Sequence, residues 1–366
     1  MLRIGRSLAV ALLLAAAGCS TEAPNPFAGV SAVGMLRRGA ALVFTSNAYS
    51  TSGSALREVM TVDADGSGVS RITFCNSESS RCDNVEAAPS PDGQRFAVRR
   101  ITEDTNRDGR LSAADDQSVF IVDAGHGREG RLMLRWAPFT GMPSTTGPST
   151  NNRFFGIDWS PADDLLLYSA NGEGGAEDLF RTIPRPDPDL AETRNLTTTA
   201  GVRERAGRID PAGTIAVYER IEDTGKSQIW VFQSAIQQSR VSAGGPGSDA
   251  LAGTPYVVGS DADPDFSPDR TAVVYRRLTG TGNGGLGTWD ILQTRLDGGA
   301  TAVVASGPAF RSAPDWSANG IVFSETDRAG GMTQLVVVQA DGSGRRVLAS
   351  FLSSVEIAYP RWIPRQ

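Results

Sequence analysis

Asp158-Trp159-Ser160-Pro161 stands just ahead of an apolar run, Leu165-Leu166-Leu167-Tyr168. The phrase returns as Asp265-Phe266-Ser267-Pro268-Asp269 before residues 272–275, and as Asp315-Trp316-Ser317 before residues 321–323. More worn copies are Ala88-Pro89-Ser90-Pro91-Asp92-Gly93, ahead of Phe96-Ala97-Val98, and Ile209-Asp210-Pro211-Ala212-Gly213, ahead of residues 215–218. Self-similarity at a period of about 40–50 residues marks an array or a ring of like units, because each unit buries its apolar face only against a neighbour.

Working outward, each unit reads as four strands. The phrase ends the first, and a Pro-Asp-Gly type turn leads into the apolar second. There Pro presets φ and Gly accepts φ > 0. A third alternating strand follows, then a second turn and a fourth strand. The second turns also recur, as Asp65-Gly66, Asp297-Gly298 and Asp341-Gly342, and Asp-Gly between strands is a strong hairpin signal. Five full units start near Val85, Phe155, Ala206, Ala262 and Ser312, and a partial unit of three strands precedes them. A stray copy of the phrase, Tyr359-Pro360-Arg361-Trp362-Ile363-Pro364, stands at the far end. That orphan supplies the missing first strand of the N-terminal unit and closes the ring, which removes sheet edges that otherwise template aggregation. The expected fold is all-β, a six-bladed β-propeller of four-stranded blades closed by the C-terminal strand.

The phrase, the apolar strand after it and the Asp-Gly turn resemble the repeats of TolB-like β-propellers, a WD-repeat-like family, over roughly residues 35–366. The family's namesake carries an α/β domain ahead of its propeller. About 15 residues between Cys19 and the first strand leave no room for one in this reading, so the namesake's partners are not carried over.

The net charge of the 366-residue chain is −6, and no basic stripe is visible. Phosphate binding needs clustered Lys and Arg, so nucleic acid is not an expected partner. Residues 1–18 read as an export signal, with Arg3 and Arg6 ahead of an apolar run at 8–17. That run is too short for a bilayer, which needs about 20 residues. Ala16-Ala17-Gly18-Cys19 resembles a bacterial lipoprotein signal, departing from it in having Ala16 where the family prefers Leu. The resemblance implies a lipidated Cys19, with ordinary secretory cleavage as the alternative, and a membrane partner through the acyl chains. Ser20, in place of Asp, leans to the outer membrane, at its periplasmic face or at the cell surface. Residues 19–34 read as a flexible tether. Cys75 and Cys82 flank a polar loop and are expected to form a structural disulfide, as export permits; two free thiols are the other reading.

One stretch has the pattern of a cation loop. Asp104, Asn106 and Asp108 stand at positions 1, 3 and 5, with Gly109 at 6, Arg110 at 7, Ser112 at 9 and Asp115 at 12. Ca²⁺ takes 6–8 hard oxygens: here three side chains, the Arg110 carbonyl, a water held by Ser112, and Asp115. Asp at position 12 resembles the dockerin loop more than the sensor EF-hand. The expected role is to pin a long loop. A second acidic run, Asp261-Ala262-Asp263-Pro264-Asp265, reads as repeat architecture.

His126 is the only histidine and sits between glycines, and no Gly-x-Ser-x-Gly elbow occurs. Tryptophans 159, 316 and 362 take the repeat's aromatic position and are expected in the core. Asn84, Glu204, Asp261 and Arg311, six residues before the repeat's Ser position, make a mixed-sign set that reads as a solvated mouth. The Gly-rich stretches 141–152, 243–254 and 279–288 are long loops, either loose surface or a recognition face. The function expected is a monomeric, lipid-anchored, non-catalytic scaffold of the cell envelope that binds a protein or glycan and carries a structural calcium loop. The alternative is a propeller-type hydrolase or lyase of the periplasm.

Overall fold

A computed structural model of the chain describes residues 35–50, 56–74, 82–112, 115–125, 132–135, 154–171, 176–184, 193–199, 201–222, 225–234 and 237–364. The export signal, the tether and His126 lie outside them. The described elements are all strands. Blade 1 contains β1 (Ala40–Ser46), β2 (Glu58–Asp63) and β3 (Ser70–Arg71). Blade 2 contains β4 (Asp83–Pro89), β5 (Arg95–Ile101), β6 (Gln117–Asp123) and β7 (Leu132–Arg135), and blade 3 contains β8 (Phe154–Trp159), β9 (Leu166–Asn171), β10 (Glu177–Thr182) and β11 (Thr193–Asn195). Blade 4 is β12 (Arg203–Ile209), β13 (Ala216–Ile221), β14 (Ser227–Ser234) and β15 (Gln237–Arg240); blade 5 is β16 (Asp261–Phe266), β17 (Ala272–Gly280), β18 (Thr288–Arg295) and β19 (Ala302–Ala305). In blade 6 the inner strand is split into β20 (Phe310–Arg311) and β21 (Asp315–Ser317), both paired to β22 (Gly320–Asp327), with β23 (Met332–Val338) and β24 (Arg346–Leu352) outside. The last strand, β25 (Ile357–Trp362), returns to blade 1 in the order β25-β1-β2-β3. The ring closes as the stray phrase predicts, with Leu42 opposite Trp362 and Ser46 opposite Ile357.

The core lies between blades. Leu42, Phe44 and Met60 of blade 1 pack with Val322, Leu335 and Phe351 of blade 6. Phe96 and Val98 of blade 2 pack with Val43 and Val59 of blade 1. This is why the apolar run follows the phrase: the second strand of each blade sits mid-sheet and is covered on both faces.

The inner strands share a break in register just before the phrase. The ladder shifts between Asn84 and Glu86, Phe154 and Ile157, Arg205 and Arg208, and Ala262 and Asp265. Gly156, Ala206, Asp263 and Tyr359 hold positive φ at this bulge. An unpaired extra residue re-aims the side chains beyond it, so the bulge turns the phrase residue into the channel. Left-handed backbone at a non-glycine costs ~1–3 kcal/mol. Three such residues, Ala206, Asp263 and Tyr359, are therefore held there by the ring around them. The approach is close: a Cβ on Gly156 would come within 2.7 Å of the Ala206 Cα.

Candidate functional site

The phrase Asp is a staple from one blade to the next. Asp158 Oδ2 accepts the Ile209 N–H at 2.8 Å, Asp265 Oδ2 the Trp316 N–H at 2.6 Å, and Asp315 Oδ2 the Trp362 N–H at 2.8 Å. Each acceptor thus satisfies the backbone of the following blade's aromatic position. In the other copies the position holds Arg361, Ala88 and Arg208.

Those two arginines enter the channel and meet Glu86. Arg361 donates through Nη2 to Glu86 Oε1 and through Nη1 to Asp158 Oδ1 at 2.7 Å. Arg208 Nη2 donates to Glu86 Oε1 at 3.3 Å, and Arg99 Nη2 lies 3.3 Å from Glu86 Oε2. Glu86 is fully buried. Burial pushes its carboxyl up, but Arg361, Arg99 and Arg208 together outweigh burial and hold it below the usual range. The channel is thus plugged by an ion cluster joining blades 1, 2, 3 and 4. Sequence reasoning missed this cluster; its signal was the replacement of the phrase Asp by Arg at 208 and 361.

On the phrase side of the plug lies a cavity of about 420 Å³. Its rim carries the exposed Pro161, Pro211 and Pro268, with Trp159, Trp316 and Trp362 around it and Asp265 and Asp315 at its floor. Burial and its Asp315 neighbour raise the Asp265 carboxyl well above the usual range. Burial also pushes Asp315 up, to about 6, against the pull of Arg361. Trp159 and Trp362 are buried as expected, whereas Trp316 is only half-buried and lines the cavity.

The residues expected to form a solvated mouth are buried instead, at 0% exposure for Asn84, Glu204 and Asp261 and 4% for Arg311. They act as latches at the opposite face. Asn84 Nδ2 donates to Thr73 Oγ1 at 3.1 Å, and Ser242 Oγ donates to Asp261 Oδ2 at 2.6 Å. The same hydroxyls accept the N–H of Val59 and Ile229 in the preceding blade. Arg311 Nη2 reaches the Ser306 carbonyl at 2.7 Å, and Glu204 faces Thr197 and Thr199. In the acidic run each carboxylate has its own partner: Asp261 with Arg277, Asp263 with Arg276, and Asp265 with the Trp316 N–H.

The Gly-rich loop 241–260 is pinned down. Leu251 packs with Leu278 and Trp289, and Tyr256 stands edge-on to Trp289 at 5.3 Å. The Tyr256 hydroxyl donates to Glu219 Oε2 at 3.1 Å, while Glu219 Oε1 is buried without a hydrogen bond. Burial pushes the Glu219 carboxyl up to about 8; Asp263 adds to this, and Arg205 opposes it. An acid raised above its unfolded value favours folding below that value and loses the benefit as pH rises through the folded one. Stability is therefore expected to decline between about pH 4.5 and 8, and Glu219→Gln should flatten the decline. Urea unfolding of both proteins at pH 5 and pH 8.5 checks this; parallel losses would sink it.

The cation-loop residues connect β5 to β6. Asp104 Oδ2 accepts the Gly109 N–H at 2.7 Å, Asn106 Oδ1 the Asp108 N–H at 2.9 Å, and Asp108 Oδ1 the Arg110 N–H at 2.8 Å. The buried Asp115 accepts the Asn106 N–H at 3.1 Å and the Ser112 N–H at 2.8 Å. Positions 1 and 12 are thereby tied to the middle of the same turn. Among the described residues, no three His, Cys, Asp or Glu side chains gather in a metal-binding group. Cys82 is buried at the start of blade 2; Cys75 and Cys19 lie outside the described residues.

No family model matches the sequence, and no curated protein matches it. Solved structures do match. TolB from Acinetobacter baumannii superposes with a TM-score of 0.64 at 15% identity, covering 89% of this chain and 67% of that one. A chain of the nidogen–laminin complex gives 0.57 at 11% identity, over 90% of this chain and all of that one. At such identities the likeness is one of fold.

Proposed function

We propose that this TolB-like six-bladed propeller is a non-catalytic binding scaffold of the bacterial envelope, tethered through a lipidated Cys19, which takes its partner at the phrase-side mouth of the channel. The observation that carries the reading is the cavity there, an apolar rim of prolines and tryptophans over Asp158, Asp265, Asp315 and Arg361. The apolar rim favours a protein over a glycan, since buried apolar area drives most protein association. A pull-down from solubilised envelope tests this. Ala318 is exposed on the rim, so Ala318→Arg should abolish capture, whereas Val303→Arg, on the outer strand β19, should not. Equal capture by both variants would overturn the phrase-side site; turnover of an envelope substrate would replace the scaffold with the hydrolase or lyase reading.

The same proposal includes a structural Ca²⁺ in the β5–β6 loop. Asp104, Asn106, Asp108 and Asp115 would hold it with the Arg110 carbonyl and a water on Ser112. It would add charge neutralisation to a loop already closed by its own hydrogen bonds. Binding to the folded state alone stabilises by about 2.7 kcal/mol at a concentration a hundredfold above Kd. Calcium is expected to raise the melting temperature, chelator to reverse the rise, and Asp104→Ala to abolish it. An unchanged melting temperature on chelation removes the ion from the reading. A Cys75–Cys82 disulfide belongs to it as well, and thiol counting under denaturing conditions checks that pair.

A further inference from the structure

At the face opposite the phrase, between blades 5, 6 and 1, lies a second cavity of about 290 Å³. Leu286, Phe310 and Val355 give it apolar walls, and Asn47, Arg276 and Tyr359 give it polar ones. Arg276 is fixed in place. Its Nε donates to Asp263 Oδ2 at 2.5 Å and its Nη1 to the Arg311 carbonyl at 3.1 Å. Its guanidinium lies 4.1 Å from the Trp289 ring centroid and 5.6 Å from that of Phe310. The side chain is 12% exposed, and no acceptor among the described residues meets Nη2. The Tyr359 hydroxyl has no protein partner either among the described residues, and Tyr359 lines the same cavity as Arg276. Asn47 Oδ1 is used by the Glu356 N–H at 2.7 Å, and its Nδ2 meets no acceptor among the described residues. The cavity therefore offers N–H and O–H donors around the preformed Arg276 guanidinium, with hydrocarbon beside them; Arg328 and Glu356 line it too, and Glu356 is paired with Arg57 at 3.1 Å.

We infer that this cavity binds a small organic carboxylate, its two oxygens toward Arg276 Nη2 and the Tyr359 hydroxyl and its apolar body against Leu286, Phe310 and Val355. A guanidinium already oriented by stacking and two hydrogen bonds loses little freedom on binding, which favours a planar carboxylate over a point anion. The cavity is at the small end for ligand sites. The inference goes beyond the scaffold reading and does not need it, because the two cavities open on opposite faces.

The test uses the full chain with 4-phenylbutyrate and its neutral amide, followed by calorimetric titration and by Trp289 fluorescence, since Trp289 lies under Arg276. The carboxylate is expected to bind and the amide to bind at least tenfold more weakly. Tyr359→Phe removes only a hydroxyl that has no partner among the described residues. It should weaken the carboxylate about tenfold, as expected for a hydrogen bond to a charged group, with an unchanged melting temperature. Arg276→Lys should weaken it further. Binding of neither probe, equal binding of both, or undiminished binding by Tyr359→Phe each overturns the assignment. Envelope capture sensitive to Ala318→Arg is read separately, so either idea can fail alone.

Discussion

Replacing Glu86 with glutamine is expected to lower the unfolding free energy by roughly 3–5 kcal/mol, and the melting temperature by on the order of 10 °C. The carboxylate is fully buried, and the guanidiniums of Arg361, Arg208 and Arg99 converge on it. Arg361 and Arg208 are buried too, so a neutral amide leaves like charges together in low dielectric with Asp158 as the counter-ion that remains in the cluster. A surface control separates this from charge loss in general. Asp297 pairs with Arg295 in the open, both about 60% exposed, and such pairs contribute ~0–1 kcal/mol. Asp297→Asn should therefore leave the melting temperature nearly unchanged. Chemical denaturation of both variants decides the matter; equal, small losses would mean that the cluster is solvated. The sign with pH is also fixed. The Glu86 carboxyl sits below its ordinary value in the fold, so its contribution is present above about pH 4.5 and is lost as pH falls further.

Truncation after Val355 is the second large effect. It removes β25, and with it the Leu42–Trp362 pairing, the Arg361 guanidinium from the plug, and the Trp362 indole that donates to the Gly320 carbonyl at 3.0 Å. The Asp315 staple loses its N–H donor, and the fully buried β1 becomes a sheet edge. Losing one large buried aromatic costs ~3–5 kcal/mol. Here a whole strand goes, against a total stability of ~5–15 kcal/mol. The truncated chain is expected to lose its cooperative transition and to associate through the open edge. Differential scanning calorimetry and sedimentation velocity report both. A monomer with a sharp transition would show that the ring does not need closing. Trp362→Phe keeps the strand and should cost far less.

Much of the fold was legible in the phrase. Its copies placed the blades near their observed starts, its absence from the first unit and its stray copy around Trp362 gave the closure, and the apolar runs gave the mid-sheet strands. What the spacing hid was partnership. Asp261 and Asp265 look alike in sequence, yet one latches to the preceding blade's Ser242 and the other staples the next blade's Trp316. The far-face charged set read as solvated because burial in a ring depends on the neighbouring blade, which sequence distance does not show. Arg208 and Arg361, which stand where other copies carry the phrase Asp, are cations of the plug together with Arg99. For the candidate sites, Trp316 was placed in the core by its repeat position; it packs against the core between blades 5 and 6 but stays half-buried and also lines the cavity.

The sequence alone determined the unit, the number of units and how the ring ends, because those follow from local turn chemistry and from a period that repeats along the chain. Only the tertiary structure decided which charges are spent and which remain open. Glu86 meets Arg208 and Arg361 across 122 and 275 residues. Arg276 and Tyr359, from blades 5 and 1, come to line one cavity. Electrostatic pairing and cavity shape are set by distances in space, and in a closed ring the first and last blades are neighbours.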